Sequence, residues 1–305
     1  VLRLSLRDQK PVAIMKNILT FDVEEYFQVE AFYGVIPRDD WDKRQSRITM
    51  CIIRILDILD EYKATGTFFT LGWVAERYPH LPAMIKGRGH ELASHGYGHD
   101  SLKRLDAEQF RADLMRSVEA IEKAAGVRVR GYRAPTFSVD RNKEWIWETL
   151  AECGFEFDSS IYPIHHDLYG DPLAPRYPYV INTAAGKLLE IPPTTYSFMG
   201  KRLPACGGGS FRLFPYWYTK RATRAYNSSG YPAMVYLHPW EIDPTQPREK
   251  NAGVKSRLRH YTNLHTVEPK LRRLLAEFPF GSVSEVYATN GKSLLETVKK
   301  GSANA

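Results

Sequence analysis

The order of apolar segments along the first half of the chain most restricts its fold. Segments typical of buried strands alternate with segments in which apolar residues recur at helical spacing. This alternation favours an α/β fold with a parallel sheet or barrel and outer helices. The predicted strands are 17–22, 67–71, 91–94 and 155–157, with a short segment at 130–133, and the predicted helices are 48–59, 74–86, 107–125 and 140–153.

The second half of the chain is less regular. Two further strands are predicted at 188–195 and 234–238, with a glycine-rich loop and a helix between them. A polar, proline-containing stretch from 241 leads to a helix at about 267–278. No internal repeat and no low-complexity linker interrupts the chain.

The charge and composition exclude several classes of protein. A net charge of +7 would suit an anionic partner, but the basic residues are dispersed apart from a cluster at 250–260. We therefore expect a solvated basic surface and no nucleic-acid partner. No run approaches the roughly 18 apolar residues that cross a bilayer. The first fourteen residues carry four charges and no apolar signal-type segment, so we expect a cytoplasmic protein.

The three cysteines, Cys51, Cys153 and Cys206, form no CxxC pair. Neither a thiolate zinc site nor a disulfide framework is therefore indicated.

Two groups of polar residues are candidates for metal binding or catalysis. Asp22, Glu24 and Glu25 follow the first predicted strand, where carboxylates can bind a metal or act as a general base. His95 and His99 lie four residues apart in a glycine-containing loop that could direct both imidazoles at one ion. Taken singly, each group is equally compatible with solvated side chains at the surface.

Five segments, in order, resemble the motifs of the NodB-type polysaccharide deacetylases, carbohydrate esterase family four. They are TFDVEE at 20–25, SHGYGH at 94–99, GYRAPTF at 131–137, DSSIYP at 158–163 and VYLHP at 235–239. LPACGGGSFRLFPYW, LHPWEIDPTQP and RHYTNL further resemble the branch found in bacterial exopolysaccharide gene clusters associated with exosortase and PEP-CTERM proteins.

The resemblance implies a distorted β/α barrel of seven to eight strands. It places a single domain at 16–287, with a branch-specific extension from about 241, between an N-terminal tail at 1–15 and a C-terminal tail at 288–305.

The resemblance also implies a metal centre. His95 and His99 match the two histidine ligands of the family, and the third ligand is acidic. Val23 stands where an aspartate is usual, so we assign Glu24 as the acidic ligand, with Glu25 as the alternative. Zinc suits this set of two nitrogens and one oxygen, with cobalt, nickel or manganese as alternatives.

The resemblance also implies catalytic roles for the residues at matching positions of the motifs. Asp22 matches the base that takes a proton from the attacking water, and Arg133 matches its partner. His238 matches the acid that protonates the departing amine, and Asp158 is a candidate to orient it. Three more residues are assigned to the oxyanion and substrate: Pro135, Thr136 and Trp240. Core packing is the more common role of a tryptophan such as Trp240.

The resemblance implies removal of N-acetyl groups from the amino sugars of a glycan or a lipid-linked oligosaccharide. The enzyme would act in the cytoplasm or peripherally at the inner membrane. The alternatives are hydrolysis of a cyclic or small non-sugar amide, and a non-catalytic glycan-binding protein. The oligomeric state is left open.

Overall fold

The computed structural model describes residues 15–288 and 294–295. The helices are α1 Ile48–Glu61, α2 Gly72–Arg77, α3 His80–Gly87, α4 Ala107–Ala125, α5 Trp145–Glu152, α6 Gly208–Leu213, α7 Tyr216–Ser228, α8 Val254–Tyr261, α9 Val267–Glu277 and α10 Val283–Tyr287. The strands are β1 Asn17–Val23, β2 Thr67–Thr70, β3 Glu91–Ser94, β4 Gly131–Tyr132, β5 Phe157–Asp158, β6 Tyr179–Asn182, β7 Lys187–Glu190, β8 Thr195–Phe198, β9 Lys201–Pro204, β10 Met234–Leu237 and β11 Phe280–Gly281.

One curled sheet organises the molecule. Its strands run in the order β10-β1-β2-β3-β4-β5-β7-β6, and β11 pairs with the start of β1. All neighbours are parallel except β6 and β7, which form an antiparallel hairpin. The eight strands on this path form a half-barrel, which confirms the predicted distorted α/β barrel.

Alternate side chains of β1 face the apolar core on one side of the sheet and the candidate site on the other. Leu19, Phe21 and Val23 point outward into the main apolar core, where they meet α1 and the other helices. Successive residues of a strand point to opposite faces, so Thr20 and Asp22 point to the inner side of the half-barrel. Every residue of β1 is buried, so both polar side chains need partners there.

The structure differs from the predicted elements in several places. The helix predicted at 74–86 is two helices that meet around Pro79, and the helix predicted at 140–153 begins at Trp145. The strand predicted at 188–195 ends at Glu190, because Pro192 and Pro193 offer no N–H to a neighbouring strand. The β6 strand, the β8–β9 hairpin and helix α8 were not predicted.

Two further points concern the extent of the chain. The predicted tails at 1–15 and 288–305 fall almost wholly outside the described residues. Within the described part, no helix has the length and apolar character needed to cross a membrane.

Candidate metal centre and active site

Three predicted ligands meet at the inner edge of the sheet. Glu24 follows β1, and His95 and His99 follow β3. One donor atom from each lies within 4.8 Å of the other two, and all three residues are buried. This donor set and spacing fit a divalent ion such as zinc, which takes imidazole nitrogens and carboxylate oxygens. The choice of Glu24 over Glu25 therefore agrees with the geometry.

His95 is held in a state suited to metal binding. The Nδ1–H of His95 donates to the backbone oxygen of Arg133 at 2.8 Å, which leaves its Nε2 as the donor atom. Burial lowers the pKa of His95 to about 4, so this imidazole is neutral near pH 7. The Nε2 of His99 lies 2.7 Å from Oε2 of Glu24.

Glu24 is held as an anion. Burial alone would raise its pKa, but the charge and hydrogen bond of His99 outweigh that effect and lower the pKa to about 2. Its other oxygen, Oε1, accepts a hydrogen bond of 3.1 Å from the indole Nε1–H of Trp240. Glu24 therefore faces the histidines with one oxygen and is anchored by the other.

Asp113 shapes the loop between the two histidines. Its carboxylate accepts hydrogen bonds from the backbone N–H groups of Tyr97 at 2.8 Å and Gly98 at 3.3 Å. A Cβ at Gly96 would lie 2.8 Å from this carboxylate, and the φ of Gly96 is +74°. The positive φ and this close approach therefore favour glycine at position 96, where Asp113 braces the loop from outside.

Glu25 has a structural role. Its carboxylate accepts hydrogen bonds from the backbone N–H groups of Arg47 and Ile48 and from the hydroxyl of Ser46. It therefore caps the N-terminus of α1 from a distant part of the chain.

Asp22 and Arg133 form a buried ion pair beside the metal centre. Nη1 of Arg133 lies 2.6 Å from Oδ1 of Asp22 and also donates to the hydroxyl of Thr20. The other guanidinium nitrogens donate to the backbone oxygen and hydroxyl of Ser159. Arg133 thus fixes one oxygen of Asp22, and the second oxygen, Oδ2, lies 3.8 Å from Nε2 of His238.

His238 has a carboxylate partner, but it is Glu241. Oε2 of Glu241 lies 3.0 Å from Nδ1 of His238 and accepts the backbone N–H of the same residue at 2.9 Å. Nε of Arg212 holds the other oxygen of Glu241 at 2.7 Å. Burial opposes protonation of His238, but the charge and hydrogen bond of Glu241 dominate and raise the pKa to about 9.

The prediction that Asp158 orients His238 is wrong. Asp158 accepts a hydrogen bond from Ser160 and lies opposite Glu190 in the register of β5 and β7. Burial raises the pKa of both carboxyls, and their proximity raises that of Glu190 further. Ser160 in turn accepts the backbone N–H of Ala134 at 2.8 Å, so Asp158 supports the segment that carries Arg133.

Trp240 is buried and does not offer an open platform to a sugar ring. Its ring stacks between His238, at 5.1 Å, and His260, at 4.1 Å. Nε2 of His260 lies 2.7 Å from the side-chain oxygen of Gln246. The segments 237–247 and 259–264 thus pack behind the metal centre and hold the indole that anchors Glu24.

A cleft of about 410 Å³ opens over these groups. Asp22, Glu24, the two histidine ligands and His238 lie in its wall, together with Thr136. Thr136 has a φ of 57°, and it carries an N–H that Pro135 lacks. Tyr169, Tyr236, Pro204, Leu213 and Phe214 give the rest of the cleft a largely apolar lining.

Two family models match the chain. The polysaccharide deacetylase model matches residues 40–157. Over that segment the chain is similar to polysaccharide deacetylases. A second model, a domain of unknown function (DUF3473), matches residues 159–288. Asp22 and Glu24 precede the first matched segment, and His238 lies in the second.

Curated relatives are similar to part of the chain. A peptidoglycan deacetylase of Helicobacter pylori is 32% identical over 116 residues, which cover 38% of this chain and 38% of that protein. A peptidoglycan-N-acetylglucosamine deacetylase of Bacillus cereus is 29% identical over 96 residues, covering 31% and 35% respectively. The chain therefore spans less than two fifths of the length of these relatives.

Solved structures share the fold over most of the chain. A Mycobacterium smegmatis protein, described as a presumed polysaccharide deacetylase, superimposes with a TM-score of 0.57 at 24% identity, covering 91% of this chain and 87% of that one. The PuuE allantoinase gives a TM-score of 0.58 at 17% identity, covering 93% and 94%. At such identities these likenesses establish the fold.

The boundary between the two family models falls inside the sheet. The strands of the second segment, β7, β10 and β11, pair with β5 and β1 from the first part of the chain. The candidate site accordingly combines residues from both sides of the boundary.

Three supporting residues were missed from the sequence: Asp113, Arg212 and Glu241. Of these three, only Glu241 could have been recognised from the sequence. Pro239 and Glu241 occupy the first and third positions of a helical turn that begins after His238, which is the spacing of a capping box.

Proposed function

We propose that the protein is a metal-dependent hydrolase that removes N-acetyl groups from the amino sugars of a polysaccharide or its precursor. The observation that carries the proposal is the convergence of Glu24, His95 and His99 with Asp22 and His238 in one cleft. The named deacetylases among the relatives support the class of reaction.

Three residues would hold the ion: Glu24, His95 and His99. When bound, a divalent metal would act as a Lewis acid on the acetyl carbonyl and on the attacking water. Three protein ligands leave positions for both, as catalytic metal sites require.

Asp22 is the proposed general base. Arg133 donates a hydrogen bond to one of its oxygens, and Asp22 lines the cleft. An ionised, fixed carboxylate can take the proton of the water that attacks the amide carbon.

His238 is the proposed general acid. An amine leaves an amide only when it is protonated, and a histidine with a pKa of about 9 is protonated at neutral pH. Its Nδ1 is held by Glu241, so its Nε2 faces Asp22 and Glu24. The backbone N–H of Thr136 is the proposed donor to the oxyanion.

The proposed substrate is an exopolysaccharide or its lipid-linked precursor, on which the enzyme would act in the cytoplasm or at the inner membrane. The segments that resemble the exopolysaccharide branch support this proposal because they contribute Arg212, Trp240, Glu241 and His260 around the site. Zinc is the proposed metal.

Acetate release from N-acetylglucosamine oligomers and from acetylated exopolysaccharide tests the function. The protein is assayed after chelation and again with added zinc, beside Asp22→Asn, His95→Ala and the exposed control Trp217→Phe. We expect metal-dependent release that both site variants abolish and the control retains. Release from allantoin or another cyclic amide, but from no acetylated sugar, would overturn the proposal.

A further inference from the structure

The segment 191–240 has an unusual charge. It contains no aspartate or glutamate and six basic residues, Lys201, Arg202, Arg212, Lys220, Arg221 and Arg224. A stretch of this length with one sign of charge creates a positive potential over the surface it forms.

Several of these charges are already used inside the protein. Arg212 pairs with Glu241, Lys220 pairs with Glu277, and Arg202 donates to the backbone oxygens of Pro172 and Ala174. Lys201, Arg221 and Arg224 are exposed. These three residues are defined here as the basic rim.

The same segment exposes large apolar side chains. The exposed fractions are 57% for Phe198, 85% for Met199, 56% for Leu213, 39% for Phe214 and 61% for Trp217. These five residues are defined here as the apolar patch. Isolated exposed apolar residues are ordinary, but a group with two phenylalanines and a tryptophan marks an interaction surface.

Tyr218 joins the two halves of the patch. Its ring lies 5.4 Å from that of Tyr196 on β8, and 4.5 Å and 6.1 Å from those of Phe214 and Trp217. Phe198 lies two residues beyond Tyr196 and so on the same face of the β8–β9 hairpin. The hairpin and the start of α7 therefore present one continuous surface.

The basic rim borders this surface. Trp217, Arg221 and Arg224 are the exposed residues at positions i, i+4 and i+7 of α7, so they form one stripe along the helix. Lys201 stands opposite Phe198 in the hairpin register. Apolar side chains edged by cations are the arrangement of proteins that rest on anionic bilayers.

The patch also adjoins the cleft. Leu213 and Phe214 belong both to the patch and to the cleft wall, and Pro204 at the end of β9 lines the cleft as well. A surface bound by the apolar patch would therefore lie at the entrance of the cleft that leads to the metal centre.

We propose that the apolar patch and its basic rim dock on an anionic phospholipid bilayer. Docking places the mouth of the cleft at the membrane surface, where a glycan held on a lipid carrier would meet the metal centre. The functional advantage of this placement rests on the proposed function, but membrane binding is measured independently of that function.

Flotation of the full-length protein with vesicles tests the proposal. One set of vesicles contains phosphatidylglycerol and phosphatidylcholine, and the other contains phosphatidylcholine alone. We expect binding to the anionic vesicles that falls in high salt, since salt screens exposed charges. Arg221→Ala with Arg224→Ala should weaken binding about 30-fold, from about fivefold for each charge at the surface, and Trp217→Ser with Phe198→Ser should weaken it at least about tenfold.

Matched controls separate the patch from charge and exposure in general. Lys86→Ala with Lys187→Ala removes two exposed charges elsewhere, and Met115→Ser removes a side chain of α4 that is 49% exposed. Both controls should bind like the unaltered protein, and all patch variants should release acetate normally from soluble oligomers. If the unaltered protein released no acetate from soluble oligomers, that result would count against the proposed function, and the vesicle result would still hold.

Two results would overturn the docking proposal. One is equal binding of the patch variants and the controls to anionic vesicles. The other is no vesicle binding together with patch-dependent binding of an acidic polysaccharide, which would make the surface a platform for the polymer.

Discussion

Replacement of Trp240 by phenylalanine isolates one hydrogen bond at the metal centre. Phenylalanine keeps an aromatic ring between His238 and His260 but removes the indole N–H that donates to Glu24. Glu24 is 3% exposed, so water does not readily replace the lost donor. A hydrogen bond to a charged acceptor contributes about 1.5–3 kcal/mol. We therefore expect zinc affinity to fall about 10- to 100-fold, the range found when a partner of a metal ligand is removed.

Competition between the protein and a chromophoric chelator measures this affinity directly. Trp217→Phe is the control, because its indole is exposed and lies outside the metal centre. With saturating zinc, the Trp240→Phe variant should recover most of its acetate release. Unchanged zinc affinity with a raised KM would refute the reasoning and return Trp240 to a substrate-binding role.

Three more outcomes follow from buried groups. Glu190→Gln should flatten the pH dependence of the free energy of unfolding, measured with urea between pH 5 and 8. Because burial raises the pKa of Glu190, the stability contributed by its protonated form is complete below about pH 4.5 and is lost as the pH rises through the folded pKa. An equally steep loss of stability in the variant would contradict this. Glu241→Gln should lower the pKa of His238 from about 9 and move the basic limb of the pH–activity profile to lower pH, whereas an unmoved limb would assign that limb to another group. Gly96→Ala should lower the free energy of unfolding by about 1–2 kcal/mol because a residue with a Cβ is strained at a φ of +74°, and Gly87→Ala, where φ is not positive and nothing lies within 4 Å, is the control.

The strands and ligands that the sequence predicts best are those with strong local signals. β1 and β2 are buried segments rich in apolar and β-branched residues. Asp22 lies near the end of β1, and Glu24, His95 and His99 follow strand ends, so their convergence follows from a parallel sheet. The partner of His238 was misassigned because Asp158 and Glu241 are both acidic residues near strand ends. Only the three-dimensional path of the chain shows that Asp158 faces Glu190.

The supporting residues were harder to predict for the same reason. Asp113 lies in the middle of α4, where an acidic residue usually faces solvent, and its contact with the histidine loop depends on how α4 packs against α2. Trp240 carried an apolar signal that fits core packing as well as it fits sugar binding. Its contact with Glu24 joins residues 216 positions apart, which no local pattern encodes.

The pairing of β1 with β10 has a consequence for synthesis of the protein. Thr20 lies beside Tyr236 in the sheet, so β1 leaves the ribosome more than 200 residues ahead of β10. At about 5–20 residues per second, that edge stays open for roughly 10–40 s. Asp22 and Glu24 are synthesised early but meet His238 and Trp240 only after this interval. A nascent chain therefore lacks a complete candidate site until His238 and Trp240 emerge, and during that time the apolar residues of β1 are without their partners in β10.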